Sequence, residues 1–395
     1  GSEMCIRDRG KWVKIRVDKT GIYKLSYADL KNMGFSDPSK VSVHGYGGWP
    51  LDEDFSKEYI DDVPSTPVWR GSDYLLFYGK GPVKWEYDSS SQTFVHTNNP
   101  YSLYGYYFVT DATPTNDMTS VAQASGATNR ITTYDDYLVH EQELVSLAKS
   151  GRELYGEDFS GATPRTLSTF SSIPGITNED AKVTMSFVSK VTSGTGVASL
   201  SINQSNVLDV SIRSNREEYV KALEGVSTAV WKGEKSEKNS VVVSYNSASH
   251  NNVRLNYVRL HFKRTLQPYG AYTFFRSIAS IGNVSRFVVQ GANANTLVFD
   301  VTDAQRVRLM ETELNGSELT FSIPAGTLRE FVLVRTDQSF ISPEVVGEVE
   351  NQNLHALEQK DMIIIAAKAF QTQAERLAEE HRATDGLTVE VVDPQ

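Results

Sequence analysis

The sequence contains a single cysteine, Cys5, among its 395 residues. One thiol can form no disulfide within the chain and cannot build a zinc site of several thiolates. Cys5 also lies in a suspect leader, since Gly1-Ser2 is typical of an expression tag and Met4–Arg9 of a translated sequencing adapter. We therefore expect residues 1–10 to be an artefactual leader that has no role in folding or catalysis.

Long apolar runs and an excess of basic charge are absent as well. No stretch is long and apolar enough to span a membrane as a helix. The net charge is −10 and the pI is about 5.3, which argues against a groove for nucleic acid. The lack of disulfides does not exclude secretion, because a large domain can build its core without them.

The seven histidines show no metal-ligand spacing. His140-Glu141 begins like the zincin helix motif, but Leu144 stands where the second histidine ligand belongs, so we interpret His140 as a histidine on a helix surface. Gly79–Pro82 lacks the Gly-Lys-Ser/Thr ending of a phosphate loop, which favours a hairpin turn. The sequence also has no Gly-x-Ser-x-Gly nucleophile elbow. We therefore predict no catalytic, cofactor-binding or metal site in this chain.

The alternation of apolar and polar residues predicts a mainly β fold of antiparallel sandwich-type domains. Trp12–Val17 and Ile22–Leu25 are predicted to pair as a hairpin across Asp18–Gly21. A one-residue change of phase within Val253–Phe262 indicates a β-bulge. Two short helices are expected, one at Tyr27–Met33 after an N-cap at Ser26 and one within Tyr134–Lys149.

The changes of pattern along the chain suggest seven segments. They are the leader (1–10), an N-terminal β-rich domain (11–125), a helical connector (126–164), a β-sandwich domain (165–290), a small β segment (291–345), a linker (346–360) and the start of a truncated α/β domain (361–395).

The last segment shows the pattern of a βαβ unit. Met362–Ala366 is a continuous apolar run, as in a parallel strand buried on both faces. Phe370, Ala374, Leu377 and Ala378 then recur at helical spacing before Gly386. A second strand is predicted at Leu387–Val392. Because a parallel sheet needs more than one such unit, we expect an α/β domain to begin here and to be cut off.

Three further stretches are candidate sites. The carboxylates of Asp52–Asp54 and Asp61-Asp62 could bind calcium, although acidic surface loops are common in an acidic protein. Gly151–Glu157 could be a partner-facing patch, but we favour a packed turn in which a buried Arg152 pairs with Glu153 or Glu157. Asp300–Asp303 is expected to be a strand end with a cap or Asx-turn.

An ordered set of short motifs resembles the PorU-like sortase group of type IX secretion, within the gingipain-type cysteine peptidases. The set comprises Val17–Leu25, His44–Gly48, Leu76–Pro82, Asn99–Ser102, Tyr106–Phe108, Gly151–Glu157, Phe299–Asp303 (where the group usually has Trp-Asp-Val-Thr), Ile363–Ile365, Gln373–Ala378 and His381-Arg382. The resemblance is collinear and spans nearly all of the chain after Lys11.

The resemblance implies a caspase-like fold for the final segment and a histidine–cysteine pair that lies beyond residue 395. It further implies an exported protein of the bacterial cell surface or outer membrane, whose native signal peptide is not in this chain. Its partners would be secreted cargo proteins and outer-membrane proteins of the secretion machinery. The complete enzyme would process the C-terminal sorting signals of that cargo.

Two other functions stay open. A β-sandwich adhesin or glycan-binding module would use exposed aromatic rings such as Trp49, Trp69 or Trp85 as stacking platforms. A gingipain-like protease outside the secretion system would share the fold and differ only in substrate. Translation of the gene past Gln395 separates the adhesin from the peptidases, since only a peptidase would continue into a region that carries the catalytic histidine and cysteine.

Overall fold

The structure, a computed structural model, describes residues 10–54, 56–57, 62–147, 152–217, 219–220 and 222–394. The side chain of His355 is not described. β-strands dominate, and the α-helices in the described part are α1 (Tyr27–Asn32) and α2 (Gln371–Glu380). None of the described helices is long and apolar enough to cross a membrane.

The strands of the first half are β1 (Trp12–Val17), β2 (Gly21–Ser26), β3 (Ser42–Gly47), β4 (Ser65–Thr66), β5 (Val68–Arg70), β6 (Tyr74–Gly79), β7 (Val83–Asp88), β8 (Thr93–Asn98), β9 (Gly105–Thr110), β10 (Ser120–Val121), β11 (Asn129–Ile131), β12 (Thr133–Glu141), β13 (Arg165–Thr166), β14 (Ala181–Ser189) and β15 (Thr195–Ile202). Those of the second half are β16 (Ser205–Arg213), β17 (Leu223–Trp231), β18 (Val241–Tyr245), β19 (Val253–Thr265), β20 (Tyr272–Phe275), β21 (Ser285–Val289), β22 (Thr296–Asp300), β23 (Arg308–Met310), β24 (Glu313–Asn315), β25 (Glu318–Ile323), β26 (Phe331–Arg335), β27 (Glu344–Val349), β28 (Met362–Ile365) and β29 (Val389–Val392).

The N-terminal unit is a sandwich of two sheets, ordered β27-β1-β9-β3-β4 and β2-β6-β5. Apolar residues of β1, β2, β6 and α1 form the core between them. Strand β1 pairs with β9 and β27, whereas β2 pairs with β6. The predicted hairpin is therefore wrong, because residues 18–20 carry the chain from one sheet to the facing one.

Helix α1 confirms the sequence prediction at its start and end. The Ser26 hydroxyl accepts a hydrogen bond from the Asp29 backbone N–H, which satisfies one of the free donors at the helix N-terminus. Leu30 is fully buried in the core of the unit. The chain leaves the helix through Gly34, whose φ of +94° suits a residue without a Cβ atom.

The middle unit is a second sandwich, with sheets ordered β12-β19-β14-β17 and β13-β18-β15-β16. The prediction of a helix within Tyr134–Lys149 is wrong for the described residues, because Thr133–Glu141 forms strand β12. Both faces of β12 carry apolar side chains: Leu138 packs against the sandwich core and Tyr137 against aromatic rings on the outer face. The sequence therefore shows no alternation, and the run resembles a helix.

The predicted bulge in β19 is confirmed. The pairing of β14 with β19 shifts between Ser186 and Phe187, which oppose Tyr257 and Leu255, so Asn256 is the extra residue. The bulge lets Leu255 and Val258 both face the core although they lie three residues apart.

The third unit pairs the sheets β10-β23-β22-β26-β20 and β11-β21-β25-β24. Its core is rich in phenylalanine, with the rings of Phe287 and Phe321 stacked at 5.1 Å and those of Phe275 and Phe331 at 5.5 Å. The outer face of the first sheet packs on β2 and β6 through a separate apolar cluster. The N-terminal and third units therefore share an extensive interface.

Strand pairing crosses the predicted segment limits. Strands β10 and β11, which flank residue 125, pair with β23 and β21 of the third unit. Strand β27 spans the predicted start of the linker and returns to pair with β1. The limits themselves stay predictions.

The final segment forms the predicted strand, helix and parallel strand, with Met362 opposite Val389. A π-helical turn, His381–Asp385, follows α2 and ends at Gly386, where φ is +67°. The four apolar residues at helical spacing do not share one environment. Ala374 and Ala378 are buried, but Phe370 and Leu377 are exposed. Ile363 and Ile365 are exposed as well, at 60% and 71%.

Candidate functional site

A hairpin formed by β7 and β8 leaves the N-terminal unit and lies over the outer face of the middle unit. Trp85 stacks on Tyr137 of β12, with ring centroids 4.0 Å apart, and Phe94 contacts the same ring at 5.2 Å. At the tip, Lys182 Nζ donates to the backbone carbonyl of Ser91 at 2.6 Å. The hairpin therefore couples the two units through aromatic stacking and a charged hydrogen bond.

Polar pairs lie beneath the hairpin. The His96 imidazole lies 2.9 Å from the carboxylate of Glu141, and the Asn98 amide donates to that carboxylate at 2.6 Å. On the neighbouring strand, His261 Nε2 lies 3.0 Å from Asp135 Oδ1. Buried histidines and carboxylates are thus matched in pairs, as buried polar groups must be.

Asp135 is held by three donors. Besides His261, its carboxylate accepts from Lys263 Nζ at 3.0 Å and from the backbone N–H of Ile278 at 2.7 Å. Burial by itself would raise the pKa of the Asp135 carboxyl. The hydrogen bond from His261 and the charge of Lys263 outweigh burial and hold this pKa below its usual value.

Arg276 joins the middle and third units. Its Nε donates to Glu330 Oε2 at 2.8 Å, and its Nη1 donates to the backbone carbonyl of Asp135 at 3.0 Å. The guanidinium also lies 4.4 Å from the centroid of the Tyr137 ring. Burial would lower the pKa of Arg276, but the Glu330 carboxylate and its other neighbours raise it, so the residue stays charged.

A cavity of about 420 Å³ lies between α1 and β27, and a larger one of about 610 Å³ lies where the three units meet. The larger cavity is lined by aromatic and charged side chains in equal number, together with small polar and aliphatic ones: Asp18, Lys19, Thr20, Trp49, Tyr78, Pro82, Val83, Lys84, Trp85, Glu86, Tyr134, Asp136, Tyr137, Val139, Arg264, Tyr269, Tyr272, Thr273, Phe274, Arg276, Val301, Thr302 and Glu330. Its volume is in the range of small-molecule sites, which commonly occur at junctions between domains.

Lys80 does not itself line this cavity, but its Nζ lies 4.7 Å from the centroid of the ring of Trp49, which does. Burial lowers the pKa of Lys80 from 10.5 to about 8. The backbone around it is tightly packed, because a Cβ atom on Gly105 would lie 2.0 Å from the Lys80 carbonyl oxygen. Gly79–Pro82 is not the predicted hairpin turn, since it links β6 to β7 in a different sheet.

The Gly151–Glu157 stretch differs from the prediction. Arg152 is exposed and pairs with Glu53 of the acidic loop at 2.6 Å, rather than with Glu153 or Glu157. Glu157 instead contacts His140 at 2.6 Å. His140 is buried in strand β12, so its interpretation as a helix-surface histidine is also wrong. Gly151 lies outside the described residues.

The acidic loops show local pairing. Asp52 binds Lys57 Nζ, and Asp54 accepts from the Ser56 backbone and hydroxyl. Asp62 accepts from the backbone N–H of Val63. Asp61 lies outside the described residues. Among the described residues, no three histidine, cysteine or acidic side chains are grouped so that they could hold a metal ion.

The Asx-turn at Asp300 is confirmed. Strand β22 ends at this residue, whose Oδ1 accepts from the backbone N–H of Thr302 at 3.2 Å. Its other oxygen pairs with Arg308 and Arg329. Burial opposes ionisation, but the Thr302 and Arg329 hydrogen bonds keep the pKa of this carboxyl below its usual value.

The three tryptophans considered as glycan platforms are all half-buried, and each ring packs against another side chain. Trp85 is stacked on Tyr137, Trp69 packs near Tyr74 in the cluster between the N-terminal and third units, and Trp49 lies against Lys80. Two of them, Trp49 and Trp85, instead line the 610 Å³ cavity. The sequence singled out these rings for a surface role, but could not show that they line one cavity.

Comparison with known proteins gives two matches that bear on this architecture. Residues 355–395 match peptidase family C25. The crystal structure of dimeric latent PorU from Porphyromonas gingivalis is similar over 99% of this chain, with 32% identity and a TM-score of 0.89. The chain spans 38% of the length of that PorU.

Other similar structures are distant. A cycloalternan-forming enzyme from Listeria monocytogenes is 10% identical, with 64% of this chain and 18% of the enzyme covered and a TM-score of 0.22. The insecticidal delta-endotoxin Cry8Ea1 from Bacillus thuringiensis is 11% identical, with 64% and 53% covered and the same TM-score of 0.22. Scores this low support no conclusion about fold or function. A search of curated proteins found no match.

Proposed function

Because this chain is similar to PorU over 99% of its length and its residues 355–395 match peptidase family C25, we propose that it forms the non-catalytic N-terminal β region of a surface-associated, sortase-type cysteine peptidase. In the complete enzyme, this region positions the peptidase domain and contacts secreted cargo or the outer-membrane secretion machinery. The complete enzyme removes C-terminal sorting signals from that cargo.

The observation that carries this proposal is the order of the parts. A β region similar to PorU precedes a parallel βαβ unit, and the family C25 match begins at residue 355, just before that unit. We assign the βαβ unit to the first part of the peptidase domain. The exposure of Ile363, Ile365, Phe370 and Leu377 supports this assignment, because further strands and helices of an α/β domain would cover such side chains.

The chemistry of the β units supports a role in positioning. Peptide hydrolysis by a cysteine peptidase needs a thiolate nucleophile beside a base. The only cysteine of the sequence, Cys5, lies outside the described residues. The described histidines beneath the hairpin are committed to carboxylate partners at 2.9 and 3.0 Å. The His96–Glu141 contact joins the β7–β8 hairpin to the middle unit, whereas His261 and Asp135 lie on neighbouring strands within that unit.

The proposal is tested with cargo-tail peptides and a basic fluorogenic peptide as substrates. We expect no turnover by this chain and turnover by a longer protein that includes the peptidase domain. A Cys5→Ser variant of this chain is the matched control. Turnover by this chain that persists in Cys5→Ser would show that the β region holds a catalytic site and would overturn the proposal.

A further inference from the structure

We propose that three loops at the junction of the N-terminal and middle units form a docking surface for an extended polypeptide segment that carries basic and apolar side chains. The loops are the β3–β4 loop (48–64), the β8–β9 loop (99–104) and the stretch after β12 (142–154). Within them, residues 55, 58–61 and 148–151 lie outside the described part. The inference rests on the proposed function, since it names the surface through which the β region contacts another protein.

Polar contacts tie the three loops to one another. The side-chain amide of Asn99 donates a hydrogen bond to the backbone carbonyl of Gly48 at 2.8 Å, which joins the second loop to the first. Arg152 pairs with Glu53 at 2.6 Å, which joins the third loop to the first. The loops therefore form one composite surface, built from both units.

This surface exposes four large apolar side chains. Tyr101 is 81% exposed, Leu51 and Leu103 are each 75% exposed, and Leu144 is 59% exposed. A single exposed apolar residue needs no explanation. Four of them on loops that contact one another are a patch, and exposed apolar patches commonly mark the sites where another macromolecule binds.

The same loops are acidic. The first holds six acidic residues and one lysine, and the third holds two acidic residues, one lysine and one arginine. Within the part of the chain that the structure describes, Asp54 and Glu143 form no ion pair. Burial and the neighbouring carboxylates of Glu141 and Glu153 raise the pKa of Glu143. A cation brought by a partner would relieve this repulsion.

The charge of the loops selects the kind of partner. Acidic side chains repel nucleic acids and anionic membranes, whose surfaces carry phosphate groups. A second copy of the chain would bring a net charge of −10 to an acidic surface. An extended polypeptide can place lysine or arginine against the carboxylates and leucine or phenylalanine against the apolar side chains. We therefore assign a basic and apolar polypeptide segment.

The probe is a fluorescein-labelled synthetic peptide of four Lys-Leu-Ser repeats, titrated with the full chain and followed by fluorescence anisotropy. We expect saturable binding with a Kd below about 100 μM that weakens as salt is added, because salt screens exposed charges. Matched peptides of Glu-Leu-Ser and Lys-Ser-Ser repeats should bind at least about tenfold more weakly, since the first reverses the charge and the second lacks apolar side chains.

Variants test whether the peptide binds at the loops. A double variant, Tyr101→Ser with Leu103→Ser, should weaken binding about tenfold. Glu143→Gln should weaken it about threefold and reduce its salt dependence. Phe370→Ser is the matched control for the apolar changes, because this ring is 66% exposed but lies in the βαβ unit, and it should leave the affinity unchanged. Circular dichroism checks that each variant is folded.

Several results would overturn the inference. They are a Kd above about 100 μM, equal affinity for the three peptides, or an equal loss of affinity in Phe370→Ser and in the double variant. Self-association of the chain, or binding to phosphatidylglycerol vesicles, that the double variant abolishes would assign the surface to a second copy or to a membrane.

The same titration is repeated with the longer protein that includes the peptidase domain, and we expect the same affinity. Loss of peptide binding there would assign the surface to the peptidase domain and overturn the inference. Turnover of cargo-tail peptides is measured separately. Failure of peptide binding with normal turnover by the longer protein rejects the docking surface alone, whereas absence of turnover counts against the proposed peptidase role.

Discussion

Arg276→Met should destabilise the protein strongly, because it removes one partner from a buried ion network. The Arg276 side chain is 1% exposed and touches two carboxylates, of Glu330 at 2.8 Å and Asp136 at 3.6 Å. Breaking a buried pair by removing one partner typically costs about 3–5 kcal/mol, since the remaining charge stays desolvated. Here Glu330 is 32% exposed and Asp136 keeps Arg264, so we expect the lower end of this range.

A double-mutant cycle separates the ion pair from simple loss of packing. Glu330→Gln removes the opposing charge, so the double variant no longer contains an unpaired carboxylate at this position. We expect it to be more stable than the sum of the two single changes by about 1–3 kcal/mol. Arg306→Met is the matched control, because this arginine is 84% exposed and should change stability by less than about 0.5 kcal/mol.

Stability is measured by urea titration, followed by tryptophan fluorescence and by circular dichroism. A chain of several units can unfold in steps, so amide exchange is followed as well. The informative amides are Asp135 N–H, which donates to the Arg276 carbonyl, and Ile278 N–H, which donates to the Asp135 carboxylate. A loss below about 1 kcal/mol in Arg276→Met, or strict additivity in the cycle, would refute the reasoning.

Three further predictions follow from single side chains. Lys80→Met should stabilise the protein at pH 7 by up to about 3 kcal/mol, since the pKa of Lys80 falls from 10.5 to about 8 on folding. Between pH 8 and 10.5 the folded protein binds fewer protons at Lys80 than the unfolded chain, so the stability of the wild type rises over this range. The stability advantage of Lys80→Met should therefore be smaller at pH 10 than at pH 7. Urea midpoints of both proteins at the two pH values test this, and an equal advantage at both would contradict it. Phe94→Ala should cost about 3–4 kcal/mol and speed amide exchange in β8, and unchanged exchange there would contradict the docking role of the hairpin. Ile365→Asn should change the melting temperature of this chain little, because the Ile365 side chain is exposed. The same change should lower the melting temperature of a longer protein that includes the peptidase domain. Equal shifts in the two proteins would contradict our assignment of the βαβ unit.

Features that depend on neighbours in the sequence were predicted from it. The cap of α1 uses Ser26 and Asp29, the Asx-turn uses Asp300 and Thr302, and the bulge in β19 follows from a change of phase within one strand. The βαβ pattern at the end of the chain is also local, since strand, helix and turn residues follow one another directly. In each case the residues that signal the feature lie within a single short pattern, even where the strand partner is distant.

Features that depend on distant partners were missed. The strand at Tyr134 was predicted as a helix because the β7–β8 hairpin covers its outer face and makes both faces apolar. Arg152 was assigned to the nearest carboxylates, whereas its partner Glu53 lies 99 residues away. The cavity could not be predicted at all, because its walls come from residues between Asp18 and Glu330.

The sequence by itself determined that this protein is mainly β, that it lacks a disulfide framework, and that an α/β unit follows the β region. These properties depend on composition and on the period of apolar residues, which short-range sterics and burial impose on every chain. Only the tertiary structure decided which sheets face each other, why β1 and β2 do not pair, and which side chains line the cavity where the three units meet. Those outcomes depend on contacts between residues far apart in the chain, and alternation along one strand does not specify which distant surface will cover it.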